Sequence, residues 1–402
     1  MPQQIEKPPK PMSNPKIKQA ARLMDGFAQR TGLNSNQDPR RYLWTDAFAV
    51  CNFLGLARAT DDPHYTQLAL RLVNQVHHTL GRHRSEGPSR GWISGLGEYE
   101  GEAHPTRGGL RIGKALPERD ADEPFDHQLE WERDGQYFHY LAKWMHALDQ
   151  VARTTGEPRF RQWAIELAVT AHEAFSYHPA DSRRPRMYWK MSIDLSRPLV
   201  PSMGQHDPLD GYVTATQLGA TVAGLPQSPD LPDLERVSQG FAEMLRPAEL
   251  ASADPLGIGG LLAEAYRVQQ LTRQGARFDD GLVERLLEAA LTGLRIYSEQ
   301  GELQTPARCR LAFRELGLAI GLEAAQRMYR DASHQRSALS PRARARLEAL
   351  QRHVALGDAI ESFWLQAGHH DTDNWLEHRD INEVMLATRL SADGFLDIET
   401  PD

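Results

Sequence analysis

The sequence predicts an all-α fold, an (α/α)6 barrel (toroid) of about twelve alternating outer and inner helices. Three observations predict it. Apolar residues recur at helical spacing along most of the chain, no convincing run of strands interrupts them, and helices that are apolar all round alternate with helices that carry a single apolar stripe.

The cleanest periodic segment is 134–153, where Tyr137, Tyr140, Leu141, Trp144, Met145, Leu148 and Val151 fall on one side. The next, 158–177, repeats the pattern with Phe160, Trp163, Ala164, Leu167, Ala168 and Ala171. The short turn from Thr154 to Pro158 makes the two an antiparallel hairpin. The same period places helices at about 16–30, 45–58, 63–81, 134–153, 158–177, 208–223, 232–246, 255–272, 279–298, 308–325, 341–367 and 380–390. Start signals support several of them: Asp62-Pro63, Asp207-Pro208, Asp254-Pro255 and Ser340-Pro341 each set a capping side chain before a proline at the first helical position. The second, sixth, eighth and tenth helices (AFAVCNFLGLA, YVTATQLGATVAGL, LGIGGLLAEAY, LAFRELGLAIGLEAA) are rich in Gly, Ala and Leu on every side, which marks them as inner. The third, fifth, seventh, ninth and eleventh have one apolar stripe and a charged face, as outer helices should. An open array of hairpins is the alternative, and it predicts fewer helices that are apolar all round.

Bulk properties narrow the function. The chain has 402 residues, 40% of them hydrophobic and 25% charged, enough for a substantial core. Net charge is −8 with no long basic run, so nucleic acid is not an expected partner. Mean hydropathy is −0.55, and no apolar run reaches membrane-spanning length, so no transmembrane helix is expected. The opening MPQQIEKPPKPMSNPK is polar and Pro-rich without an apolar signal region. Residues 1–15 are expected to be a flexible arm and 16–402 a single barrel domain. Cys51 and Cys309 lie far apart within helical patterns, which suggests no disulfide framework and a reducing, cytoplasmic setting. No dinucleotide or phosphate-loop motif occurs, so no cofactor is expected.

Two long connections, about 82–133 and 178–207, combine Trp, Tyr, Gly and charge, an unusual mixture for disordered linkers. One contains GWISGLGEYEGEAHPTRGG, with Glu98, and FDHQLEWERDGQ; the other contains RMYWKMSIDLSRPLVPSMGQHDPLDG. Both lead into inner helices, and in a barrel of this topology every outer-to-inner turn lies at the same mouth. The candidates for substrate binding or catalysis cluster there. They are Trp44 and Asp46 before the second helix, and Trp131, Glu132, Asp134, Gln136 and Tyr137 before the fourth. His206, Asp207, Asp210 and Tyr212 precede the sixth, and Trp375, Glu377 and His378 the twelfth. Aromatic faces beside carboxylates suit sugar rings, whose C–H surfaces stack while their hydroxyls hydrogen-bond.

A carboxylate at a helix N-terminus is held ionised, so Asp46, Asp134 and Asp207 are expected as general bases, although helix capping alone would also account for them. Carboxyls beside aromatic walls are expected as acids: Glu130 and Glu132 around Trp131, and Glu377 near Trp375. His77, His78, His139 and His146 read as structural. His369 and His370 with Asp371 and Asp373 have a metal-like spacing but no supporting cluster, so no metal site is expected.

With the six hairpins and these mouth residues in view, the chain resembles the six-hairpin glycosidase superfamily over about residues 16–390. That superfamily includes inverting glycoside hydrolases, unsaturated uronyl hydrolases and the N-acylglucosamine 2-epimerase-like group. The resemblance to the uronyl hydrolases implies a catalytic Asp at an inner-helix start, where Asp46 and Asp134 stand. The resemblance to the epimerase group implies paired histidines before the eighth and twelfth helices. His378 fits the twelfth; Glu249 to Pro255 contains no histidine, and His206 is the substitute at hand. The expected function is an inverting-type glycoside hydrolase acting on a small saccharide through paired carboxylates. The alternatives are a sugar 2-epimerase or aldose–ketose isomerase using histidines, and a non-catalytic sugar-binding or scaffold protein.

Overall fold

A computed structural model describes residues 14–87, 89–222, 232–246, 249–334 and 339–398. The arm expected over 1–15 lies outside the described residues except for its last two. Twelve helical positions follow in chain order. They are α1 (Pro15–Arg30), α2 (Leu43–Thr60), α3 (Pro63–Leu80), α4 (Phe138–Thr155), α5 (Pro158–Phe175), α6 (Asp207–Val222), α7 (Leu234–Met244), α8 (Pro255–Arg273), α9 (Leu282–Gln300) and α10 (Ala312–Ser333). The last two are α11, in two pieces (Pro341–Gln351 and Val354–Trp364), and α12 (Arg379–Leu390).

The even-numbered helices form a closed inner ring. α2 packs on α4, α4 on α6, α6 on α8, α8 on α10, α10 on α12, and α12 returns to α2. The odd-numbered helices lie outside it, each against an inner partner, with α1 covering α12 and α2. Ring closure overturns the open-array alternative. It also explains the composition of the inner helices, which must meet neighbours on both sides. α8 and α10 cross so closely that a Cβ on Gly259 would stand 2.1 Å from the Gly317 carbonyl oxygen, so only glycine fits.

Local chemistry sets most helix starts. Asp62 accepts from the His64 N–H at 2.9 Å, Asp254 from Leu256 at 3.3 Å and Ser340 from Ala343 at 3.1 Å, as capping predicts. Three expected features differ. Asp207 is the first residue of α6 rather than its cap. α11 breaks at Arg352 and His353 instead of running unbroken. α4 begins at Phe138 because Gln136–Tyr137 is a strand, paired with Lys190–Met191, which in turn pairs with Pro198–Val200. A second small sheet joins Ser176–Tyr177 to Arg186–Met187. These pairings were not expected from a sequence read as strand-free, and they tie the second long connection to the residues just before α4 and just after α5.

The end of the ring opposite the inner-helix starts is closed by the C-terminal segment, including the short helix Asp393–Leu396. Gln150, in the last turns of α4, donates to the Gly394 and Asp397 carbonyls, both at 2.8 Å. Gln270, near the end of α8, donates to Leu396 at 2.9 Å and accepts from the Ile398 N–H at 3.0 Å. Phe395 stacks on Phe48 of α2 with ring centroids 4.4 Å apart. Among the described residues no helix is long and apolar enough to cross a membrane.

Candidate active site at the barrel mouth

A cavity of about 1000 Å³ opens at the inner-helix starts, with Phe48 and Phe395 among its lining residues. All six inner-helix starts contribute to its wall. Tyr42, Trp44 and Asp46 come from α2, Glu132, Tyr137 and His139 from α4, and His206, Asp207 and Asp210 from α6. Ser252 and Asp254 come from α8, Phe313 and Arg314 from α10, and Glu377, His378 and Asp380 from α12. The volume lies at the upper end of the range for small-molecule sites. Of the fifteen candidate site residues, the cavity is lined by Trp44, Asp46, Trp131, Glu132, Tyr137, His206, Asp207, Asp210, Glu377 and His378.

Asp207 is the most unusual group in it. The residue is 4% exposed, and its Oδ2 is buried without a hydrogen-bond partner. Burial, with the neighbouring Asp210 adding to it and Lys143 opposing, pushes the carboxyl well above the usual range. This shift runs against the ionised state expected from sequence, because the helix start does not offer the carboxyl the capping bonds that would hold it ionised. Gly204 makes room for it: a Cβ there would stand 2.3 Å from Asp207 Oδ2. His139 Nδ1 lies 3.7 Å from Asp207 Oδ1 and is itself buried without a partner. Burial, aided by Lys143, lowers its pKa and keeps the imidazole neutral. One turn along α4, Lys143 bridges Asp210 and Glu264, each at 3.2 Å. Burial opposes the Lys143 charge, but these two carboxylates outweigh it and raise its pKa. Arg267 donates to Glu264 at 2.8 Å and closes the network.

Asp46 stands in the first turn of α2, not at its cap, and reaches back to accept from the Tyr42 N–H at 2.9 Å and from Arg41 at 3.3 Å. Burial nevertheless pushes its carboxyl up to about 6. Glu132 and Glu377 are exposed at the rim.

The wall beside Asp207 is aromatic. Trp131 and Trp189 meet edge to face at 4.8 Å, Trp189 is 5.2 Å from Tyr137, and Tyr137 is 5.2 Å from Tyr140. The Tyr42 and Tyr140 hydroxyls share a hydrogen bond of 2.6 Å. The two candidate histidines are oriented by backbone carbonyls, which only accept. His206 Nε2 donates to Leu250 at 2.8 Å and His378 Nδ1 to Asn374 at 3.1 Å. In the neutral ring each then keeps a lone pair on the other nitrogen.

Five candidates stand elsewhere. Asp134 is fully buried outside the cavity lining. Arg111 reaches it at 2.7 Å, and the Gly113 and Gly135 N–H groups bond it at 3.0 and 3.1 Å. Gln136 ties Leu110, Gly108 and Ile193 together through their backbones. Tyr212 packs on Phe278 and accepts from the Asp279 N–H. Trp375 is core, stacked between Trp364 and His370. Glu98 is exposed on the short helix Glu98–Ala103 and pairs with Arg82. Glu130, expected as an acid, is locked by Lys190 at 2.9 Å and Arg119 at 3.0 Å.

Sequence reasoning missed His139, Lys143, Tyr140, Trp189 and Arg314 as cavity residues. His139 and Lys143 carry a signal, since a spacing of four puts them on one helix face beside the mouth. Trp189 carries none, because a long-range strand pairing places it. His369 and His370 hold their own loop, donating to the Phe363 and Trp364 carbonyls at 2.8 and 2.7 Å. Among the described residues no cluster of three or more His, Cys, Asp or Glu could hold a metal ion.

No protein-family model matches the chain, and no curated protein matches it. Among solved structures, it is similar to cellobiose 2-epimerase from Spirochaeta thermophila DSM 6192, at 12% identity and a TM-score of 0.46, over 93% of this chain and 98% of that one. It is also similar to the unsaturated glucuronyl hydrolase of Bacillus sp. GL1, at 13% identity and a TM-score of 0.32, over 70% of this chain and 83% of that one.

Proposed function

We propose that the cavity is the active site of a carbohydrate-active enzyme, an inverting-type glycoside hydrolase acting on a small saccharide. The observation that carries this reading is Asp207: a buried carboxyl with an unpartnered oxygen in an aromatic cavity. Leaving such a group unpaired costs stability, and a protein built only to scaffold or to cap α6 would gain nothing from it.

In this reading Asp207 is the general acid. Its proton passes to the glycosidic oxygen as the bond from that oxygen to the anomeric carbon breaks. Water attacks the anomeric carbon from the opposite face, and Glu132, open at the rim, takes the water's proton as general base. These roles exchange the ones expected from sequence, where Asp207 was the base and Glu132 the acid. Neutral His139 stands beside the Asp207 carboxyl without bonding to it, and Trp131, Tyr137 and Trp189 offer faces for the sugar ring.

One observation favours a second reading, a 2-epimerase or aldose–ketose isomerase. His206 and His378 each have one nitrogen fixed by a carbonyl and the other free, a fitting state for moving a proton next to a sugar carbonyl. Proton NMR of a saccharide panel in deuterated water separates the two. Release of a reducing sugar of inverted anomer supports hydrolysis, with Glu132→Gln losing about a hundredfold or more. Deuterium at C2 of an intact sugar, lost in His378→Ala, would replace hydrolysis with epimerisation.

A further inference from the structure

The aromatic wall does not stop at the cavity rim. From Tyr140 and Tyr137 inside, ring contacts continue through Trp189 to Trp131, then 6.3 Å to His127 and 6.4 Å to Phe125. Trp131 is 41% exposed and Phe125 51% exposed. Single exposed aromatics need no explanation, but a connected file running out of a cavity is a contiguous apolar strip. The strip is backed by a rigid support. Arg119 lies 5.7 Å over the Phe125 ring and is pinned by Glu130 at 3.0 Å.

We propose that this file is a track for successive sugar rings, and that the protein acts on the end of an uncharged oligosaccharide. The proposal rests on the carbohydrate reading above and names its substrate class. Aromatic faces accept the C–H faces of consecutive sugars whatever their hydroxyl pattern. Exposed acids adjoin the strip in sequence, Asp126 between Phe125 and His127 and Glu132 after Trp131. They can accept from sugar hydroxyls, and they repel phosphate backbones and anionic lipid surfaces. The inner end is blind. Phe395 lines the cavity, and its C-terminal segment is bonded across the far end of the ring by Gln150 and Gln270. A chain can enter by its end only, with its first units in the cavity and later ones over Trp131 and Phe125.

Calorimetric titration of the full chain with cello-, xylo-, malto- and manno-oligosaccharides, each from monosaccharide to pentasaccharide, tests this. In a series that binds, affinity should rise from disaccharide to tetrasaccharide. Phe125→Ala should weaken the tetrasaccharide about threefold to tenfold while leaving the disaccharide unchanged. Equal affinity for disaccharide and tetrasaccharide, with Phe125→Ala silent at every length, would overturn the track and leave the carbohydrate reading standing. No binding in any series at any length would overturn both.

Discussion

The chain segments before α4 and before α6 each deliver an aspartate to a helix start, and the two aspartates have opposite fates. Asp134 is enclosed by Arg111 and by the Gly113 and Gly135 N–H groups, every contact on protein and none on the cavity. Asp207 is just as buried, yet one oxygen meets no donor and its carboxyl is pushed well above its usual range. The first is an anchor that holds the long connection 82–133 onto α4. The second is kept free at a cost to stability. What separates the two is the supply of donors, which burial and helix position alone do not reveal.

Removing the anchor should show the largest stability effect. Asp134→Ala leaves the part-buried Arg111 guanidinium without its carboxylate and should cost about 3–5 kcal/mol in chemical denaturation. An ordinary capping aspartate is worth less: Asp62→Ala should cost about 1 kcal/mol by the same measurement. If both changes cost the same, Asp134 is only a cap and the contrast fails.

Asp207 should differ in sign. Its folded pKa is raised above the unfolded value, so its contribution to stability is complete below the ordinary carboxylate range and is lost as pH rises through the folded pKa. Asp207→Asn removes that loss. The melting temperature of the variant relative to the native protein should therefore climb as pH rises from about 4 toward neutrality. Asp46, pushed up to about 6, has the same sign, so an Asp46→Asn variant should gain over the window from its ordinary value to about 6. A difference in melting temperature that does not change with pH would mean that Asp207 is ionised in the fold. The smallest effect belongs to Glu98, exposed beyond the cavity. Glu98→Ala should stay within about 0.5 kcal/mol in stability and leave saccharide binding unaltered.

The architecture was legible because helical period and all-round apolarity are local signals, and closure follows from the Gly and Ala content that lets inner helices approach. The convergence on one mouth was legible too, since alternation alone sends every outer-to-inner turn to one end. Partnership was not. Gln136 and Trp375 look like sugar-binding residues in a motif, but Gln136 ties backbones at Gly108 and Ile193, and Trp375 stacks on Trp364. Trp189 enters the wall only because Lys190–Met191 pairs with Gln136–Tyr137 from over fifty residues away. His139 read as a helix-face residue of the core, and only the placement of α6 brings Asp207 to it.

The most direct test of the account is the turnover of Asp207→Asn against the native protein on one saccharide that the native protein cleaves, followed by proton NMR across pH. Asparagine keeps the size of the side chain but has no acidic proton to give. The account predicts a loss of about a hundredfold or more with no loss of stability, and a native rate that falls on the alkaline side as Asp207 ionises. Full activity in Asp207→Asn, with the same alkaline fall, would contradict it and move the acid elsewhere in the cavity.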